Sequence, residues 1–192
     1  MAFKFNNFKG SYSYVENIED KQQIINELFN NLNLSQFRYN LMTDSNYIQT
    51  LNFLSKNNHF VSLLYKGSNY LLCFFKLEGK NCCYCIDRKT LRYHKNEINY
   101  KKILIVKINI TAQPKMFEGT VFNCRLIQEG DKANFKIYDC FKYQNSFAIP
   151  NLELDKKLKF LNNNISINFE TNKLIKINTI DLYNYTDLKN LV

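Results

Sequence analysis

An α+β domain, with an antiparallel sheet at its core and helices flanking it, is what this sequence predicts, and three observations carry that expectation. The 192 residues are 45% hydrophobic and 15% aromatic, enough for one substantial core. Sixteen Phe and thirteen Tyr stand against five Gly and two Pro, a balance that favours strands joined by short polar turns. Short apolar runs bounded by turn residues fill the middle of the chain, while the segments around them carry apolar residues at helical spacing. No Pro/Gly-rich linker, charge block or internal repeat divides residues 1–192, which read as a single domain.

The first element is a helix. Asn17 is a capping residue type, Glu19 and Asp20 suit a helix start, and Ile24, Ile25, Leu28, Phe29 and Leu32 recur on one face until about Asn33. A shorter helix is expected around Tyr47 to Leu54. Three strand-like runs follow, Phe60 to Tyr65, Tyr70 to Lys76 and Cys82 to Asp87, with turns at Lys66-Gly67-Ser68-Asn69 and Glu78-Gly79-Lys80-Asn81 that predict an antiparallel meander. Further strands are expected over Ile103 to Ile110, Phe117 to Ile127 and Phe135 to Phe141, the last preceded by the turn signal Gln128-Glu129-Gly130-Asp131. After Pro150, Leu154, Leu158 and Leu161 predict a second helix. Strand-like stretches are expected from Ile165 and over Leu174 to Ile180, with Asp181 capping a short final helix.

A net charge of +9 and a pI near 9.2 favour a polyanionic partner, because each cation that neutralises a phosphate releases counterions. The most apolar run, Tyr70 to Phe75, is far short of the roughly 20 residues that span a bilayer, so no membrane partner is expected. Met1 to Asn7 lack the apolar core and cleavage site of a secretory signal, which predicts an intracellular, cytoplasmic or nuclear protein with reduced cysteines. Cys73, Cys82, Cys83 and Cys85 crowd together, yet alternation sends neighbours in such a strand to opposite faces, which predicts buried thiols and no metal site. His59 and His94 stand in no ligand spacing.

Three short motifs carry chemistry: Lys76-Leu77-Glu78-Gly79, Phe117-Glu118-Gly119-Thr120 and Phe135-Lys136-Ile137-Tyr138-Asp139. Their order resembles the covalent nucleotidyltransferase superfamily, nearest to the N-terminal part of messenger RNA capping guanylyltransferases, from about Tyr70 onward. In that family a Lys-x-Asp-Gly-x-Arg lysine attacks the α-phosphate of a nucleoside triphosphate, and the matching residue is Lys76. The resemblance implies a nucleotide pocket with Glu78, Gly79, Glu118 and Gly119 in its lining, and either Phe135 or Tyr138 stacked on the base. It also implies Mg2+ or Mn2+ if the chain is catalytic, and no cofactor otherwise.

The departures point away from catalysis. Asn81 stands where the motif has its arginine, Glu78 replaces an aspartate, and Thr120 replaces an acidic residue. The fourth motif, the lysine-rich fifth motif and the oligonucleotide-binding domain have no counterpart in these residues, which leaves the likeness partial.

A basic segment, Arg88-Lys89-Thr90-Leu91-Arg92-Tyr93-His94-Lys95, offers Arg88, Lys89, Arg92 and Lys95 to a phosphate backbone and Tyr93 to an exposed base. Lys156, Lys157 and Lys159 could extend that surface. The resulting expectation is a degenerate guanylyltransferase-like domain that binds a nucleotide or the 5′ cap of an RNA, similar in kind to the snurportin-type cap-binding domain. Two alternatives stand beside it. One is a partial guanylyltransferase or RNA ligase that forms a lysyl-nucleotide adduct with the help of a protein partner; the other is a non-catalytic basic RNA-interaction module.

Overall fold

The computed structural model describes residues 9–30, 32–37, 59–169 and 174–184. Its centre is a seven-stranded sheet formed by β1 (Tyr12–Tyr14), β3 (Ser68–Leu77), β4 (Lys80–Asp87), β5 (Ile105–Ile108), β6 (Thr120–Glu129), β7 (Lys132–Lys142) and β8 (Ile175–Thr179). The strands lie in the order β1-β5-β4-β3-β6-β7-β8, and every neighbouring pair is antiparallel except β7 and β8. Helix α1 (Ile18–Asn30) lies on one face, and α2 (Leu154–Asn168) lies on the other, crossing over between β7 and β8. The α+β class and the antiparallel core expected from the sequence are what the structure shows.

Alternation along the strands produces the two cores. In β3, Tyr70, Leu72 and Phe74 point toward α2, while Leu71, Cys73 and Phe75 point toward α1. On the α2 side Phe74 packs its ring against Phe117, Phe122 and Phe169, with centroids 5.6, 6.2 and 5.3 Å apart, and Leu158 and Leu161 close the layer. On the α1 side Ile24, Ile25 and Leu28 cover the sheet, and Phe37 stacks on Phe141 at 4.1 Å. The Asn17 side chain accepts from the Glu19 amide at 2.7 Å, the cap that its residue type predicts.

The β3–β4 connection is tighter than the sequence suggested. Leu77 pairs with Lys80, which leaves two loop residues, Glu78 and Gly79, at φ 50° and 75°. Both positive values give a turn whose twist matches that of the flanking strands.

Four expectations need correction. The run from Phe60 yields only a two-residue strand, β2 (Phe60–Val61), which pairs with β9 (Tyr183–Asn184) outside the main sheet and not with β3. Leu63 and Leu64, 54% and 86% exposed, do not alternate into a core, and this run therefore joins no meander. Phe117 closes a 3-10 turn, Pro114–Glu118, and the strand begins at Thr120. Residues from Ile165 continue α2 to Asn168, because Leu158, Leu161 and Ile165 extend one helical face. Asp181 precedes β9 and accepts the Tyr65 hydroxyl at 3.3 Å; any helix beyond it, like the one expected around Tyr47 to Leu54, lies outside the described residues.

Candidate functional site

The end of the sheet near the β3–β4 turn gathers the first two motifs. Phe74 pairs with Thr120, so Lys76 and Glu118 lie at the same end of neighbouring strands. Lys76 is exposed and pairs with Asn81 across the hairpin. Alternation places it on the α2 side, whereas Glu78 turns toward α1 and accepts from Gln23 Nε2 at 3.4 Å. The two side chains therefore part to opposite faces. Gly79 lies exposed at the tip of the turn, and Glu118 is exposed at the end of its 3-10 turn. Gly119 is buried at φ 107°, a conformation open to glycine, and Thr120 spends its hydroxyl on the Gln144 amide at 3.0 Å.

Of the two aromatics in the third motif, only Tyr138 keeps any ring surface in reach of a ligand. Phe135 is 0% exposed within the α2-side core, so it cannot stack on a base. Asp139, in the same motif, accepts Lys157 Nζ at 2.7 Å, with 21% and 9% of those side chains exposed. Lys157 is thus a buried partner of β7 and no part of an open cationic face; Lys156 pairs with Glu153, and Lys159 faces solvent.

A second constellation gathers around the bulge of β7, from residues of β3, β6 and β7. A bulge between Asn123 and Cys124 leaves Tyr138 as an extra residue on β7, and its hydroxyl donates to Asn69 Oδ1 at 2.6 Å. Arg125 Nε donates to the same oxygen at 3.0 Å and Nη1 to the Tyr65 carbonyl, with the guanidinium 5.9 Å from the centre of the Tyr138 ring. Lys136 Nζ sits 5.0 Å from the centre of the Tyr65 ring. Burial pushes the Tyr138 phenol pKa up, while the Arg125 charge pulls it back.

Arg88 joins this group from the end of β4. Its guanidinium lies 5.6 Å from the centre of the Tyr93 ring and 5.8 Å from that of Phe141, with Nη2 donating to the Tyr93 hydroxyl at 3.5 Å. Nη1 is sealed from solvent and has no hydrogen-bond partner among the described residues. The rest of the basic segment faces outward: Lys89, Arg92 and Lys95 are exposed, and the Lys89 amide donates to Asp87 Oδ1 at 2.9 Å.

The structure thus brings Arg88, Tyr93 and Tyr138 to one face and leaves Lys76, Glu118 and Gly119 at the end of the sheet. No protein-family model matches this chain, and no curated protein matches it significantly. The site therefore rests on its own geometry. Sequence reasoning missed Asn69, Arg125 and Lys136. The signal for Arg125 was present, since it is a lone cation between Cys124 and Leu126 in an otherwise apolar run, the mark of a strand with one polar face.

All six cysteines are buried free thiols, and burial raises the pKa of Cys73, Cys83, Cys85, Cys124 and Cys140. Among the described residues no three His, Cys, Asp or Glu side chains converge as a metal-ligand set, so the Mg2+ or Mn2+ implied by the resemblance finds no such set there. Among the same residues no helix is long and apolar enough to cross a membrane.

Proposed function

We propose that this chain binds the 5′ end of an RNA, or a guanine nucleotide, in the manner of a guanylyltransferase-like domain that recognises its ligand without covalent chemistry. The observation that carries this reading is the cluster of Arg88, Arg125, Tyr93 and Tyr138 on one face of the sheet, two guanidiniums held against aromatic rings. Guanidinium groups attract phosphate and can stack on base faces, and an aromatic ring accepts a base of any identity at about 1 to 3 kcal/mol. The +9 charge supplies the long-range attraction. Against a catalytic role, Lys76 and Glu78 leave the β3–β4 turn on opposite faces.

The test is fluorescence anisotropy with capped and uncapped RNA of one sequence, for the wild type and for Arg125→Ala and Tyr138→Ala. Saturable binding weakened by both substitutions supports the reading, and a preference for the capped RNA narrows it to cap recognition. Binding that neither substitution changes refutes it. A nucleoside monophosphate adduct on Lys76, seen by intact mass after incubation with nucleoside triphosphates and Mn2+, would replace it with the partial-enzyme reading and its partner subunit.

A further inference from the structure

Removing an ammonium group from water is costly unless an acceptor meets it, so each buried lysine should have a visible partner. Three lysines are buried among the described residues. Lys21, 8% exposed, donates to the Tyr100 carbonyl at 3.2 Å, and Lys157, 7% exposed, pairs with Asp139. Lys142 is 5% exposed, the most buried of the three, and among the described residues Nζ has neither an ion pair nor a hydrogen bond.

Its surroundings come from the start of β6 and the turn after β7. Lys142 ends β7 opposite Val121, and its side chain runs along Gly119, where a Cβ would lie 3.3 Å from Nζ and 3.5 Å from Cε. A side chain at position 119 would press on the end of Lys142 and would be strained at φ 107°. Just beyond, Tyr143 and Ser146 exchange backbone hydrogen bonds around Gln144 and Asn145, both at positive φ, and this turn leads to Phe147, whose ring centre is 6.0 Å from Nζ and which is 42% exposed. The neighbours on the other elements are mostly uncharged: Gly119, Thr120 and Val121 from the β6 side, Gln144 and Phe147 from the turn. Among the described residues Glu27 of α1 is the carboxylate that acts on Lys142, from beyond ion-pair reach, and burial outweighs it, pushing the lysine pKa down.

We propose that Lys142 is the centre of a phosphate-binding subsite, in which a phosphate group lies against Nζ beside Gly119 and the Phe147 ring stacks on whatever the phosphate carries. The subsite needs no likeness to guanylyltransferases and stands independently of the reading above. A phosphate dianion gives the ammonium an acceptor that none of the described residues supplies, and an exposed ring next to a phosphate site suits a nucleotide base. Binding returns a proton to any Lys142 that had lost it.

The experiment compares a 5′-phosphorylated oligonucleotide with its 5′-hydroxyl twin by anisotropy, with inorganic phosphate as competitor. The expected result is a preference of about tenfold for the phosphorylated end, lost in Lys142→Met, which keeps the stem and drops the charge. Above pH 7, where the phosphate is already dianionic, the preference should fall as pH rises, because Lys142 deprotonates below the ordinary lysine range. Glu27→Gln, which keeps the lysine and removes the competing carboxylate, should increase the preference. Competition by inorganic phosphate that depends on Lys142, without discrimination between the two ends, would assign the subsite to free phosphate. Equal affinities for both ends together with no Lys142-dependent competition overturn the proposal. Because it reads the 5′ phosphate alone, its failure is separable from that of the Arg125 and Tyr138 test.

Discussion

The two faces of the sheet are built from the same strands and are chemically unlike. Toward α2, β3, β6 and β7 present Leu72, Phe74, Phe122, Cys124, Phe135 and Ile137, all fully buried and closed by Leu158 and Leu161. Toward α1, the β4 and β5 end is equally apolar, but β6 and β7 present Asn123, Arg125 and Lys136, with Tyr138 at the bulge bound to Asn69 and also packed against the edge of the α2-side core. A strand must fill one face with apolar groups to be held in a sheet. Its other face is then free to carry polar and aromatic groups. Two bulges on β7 add to this freedom by turning Tyr138 and Phe141 without disturbing the sealed face. The lesson is that the α2 face holds the fold and the polar part of the α1 face is where ligand chemistry is available.

The largest break in that contrast should come from Phe122→Ala, which empties the centre of the sealed face. Chemical denaturation should show a loss of about 3 to 5 kcal/mol, with RNA affinity per folded molecule unchanged. Next comes Asp139→Asn, which leaves Lys157 buried and unpaired; a loss of about 3 kcal/mol is expected, and restoration by the double variant with Lys157→Met would sharpen the assignment. Tyr138→Ala acts on the other face. It should weaken RNA binding by about 1 to 3 kcal/mol while shifting the melting temperature far less than Phe122→Ala does. An equal stability loss at both positions would erase the division of labour between the faces.

Two smaller effects test the ends of the strands. Gly79→Ala forces a left-handed residue to carry a Cβ and should cost about 1 kcal/mol, although nothing crowds the site. Lys142→Met should raise stability by less than about 1 kcal/mol at neutral pH, with a pH signature. Burial holds the folded-state pKa of Lys142 below its unfolded value, so the penalty of the charged amine is full below the folded pKa. It fades as pH climbs toward the ordinary lysine range, and the advantage of the methionine variant should shrink with it. A methionine variant less stable than the wild type at neutral pH would show that Lys142 has an anionic partner in the free protein.

Much of the fold could be read from periodicity. The face of α1 carried by Ile24, Ile25 and Leu28, the strand from Tyr70 to Lys76 and the hairpin at Gly79 follow from local patterns that burial then reinforces. The run at Phe60 and the stretch from Ile165 were misread, because a few apolar residues in a row satisfy a short strand and a helix end alike. At the site, Arg88, Tyr93 and Tyr138 were legible as basic and aromatic residues, and Lys142 gave no sign. Its lack of an acceptor among the described residues is a property of what surrounds it in space.

The sequence by itself determined the α+β class, the positive charge, the alternation that makes two cores and the residue types able to meet a phosphate or a base. Those depend on hydrophobic period and composition, which are local quantities. Tertiary structure decided which of Phe135 and Tyr138 keeps a ring surface, paired Asp139 with Lys157, and separated Lys76 from Glu78 across the sheet. It also placed Lys142 beside Gly119 with no counter-ion among the described residues. Each of these depends on which residues from distant parts of the chain share a neighbourhood, because burial and electrostatics are set by surroundings and not by spacing along the sequence.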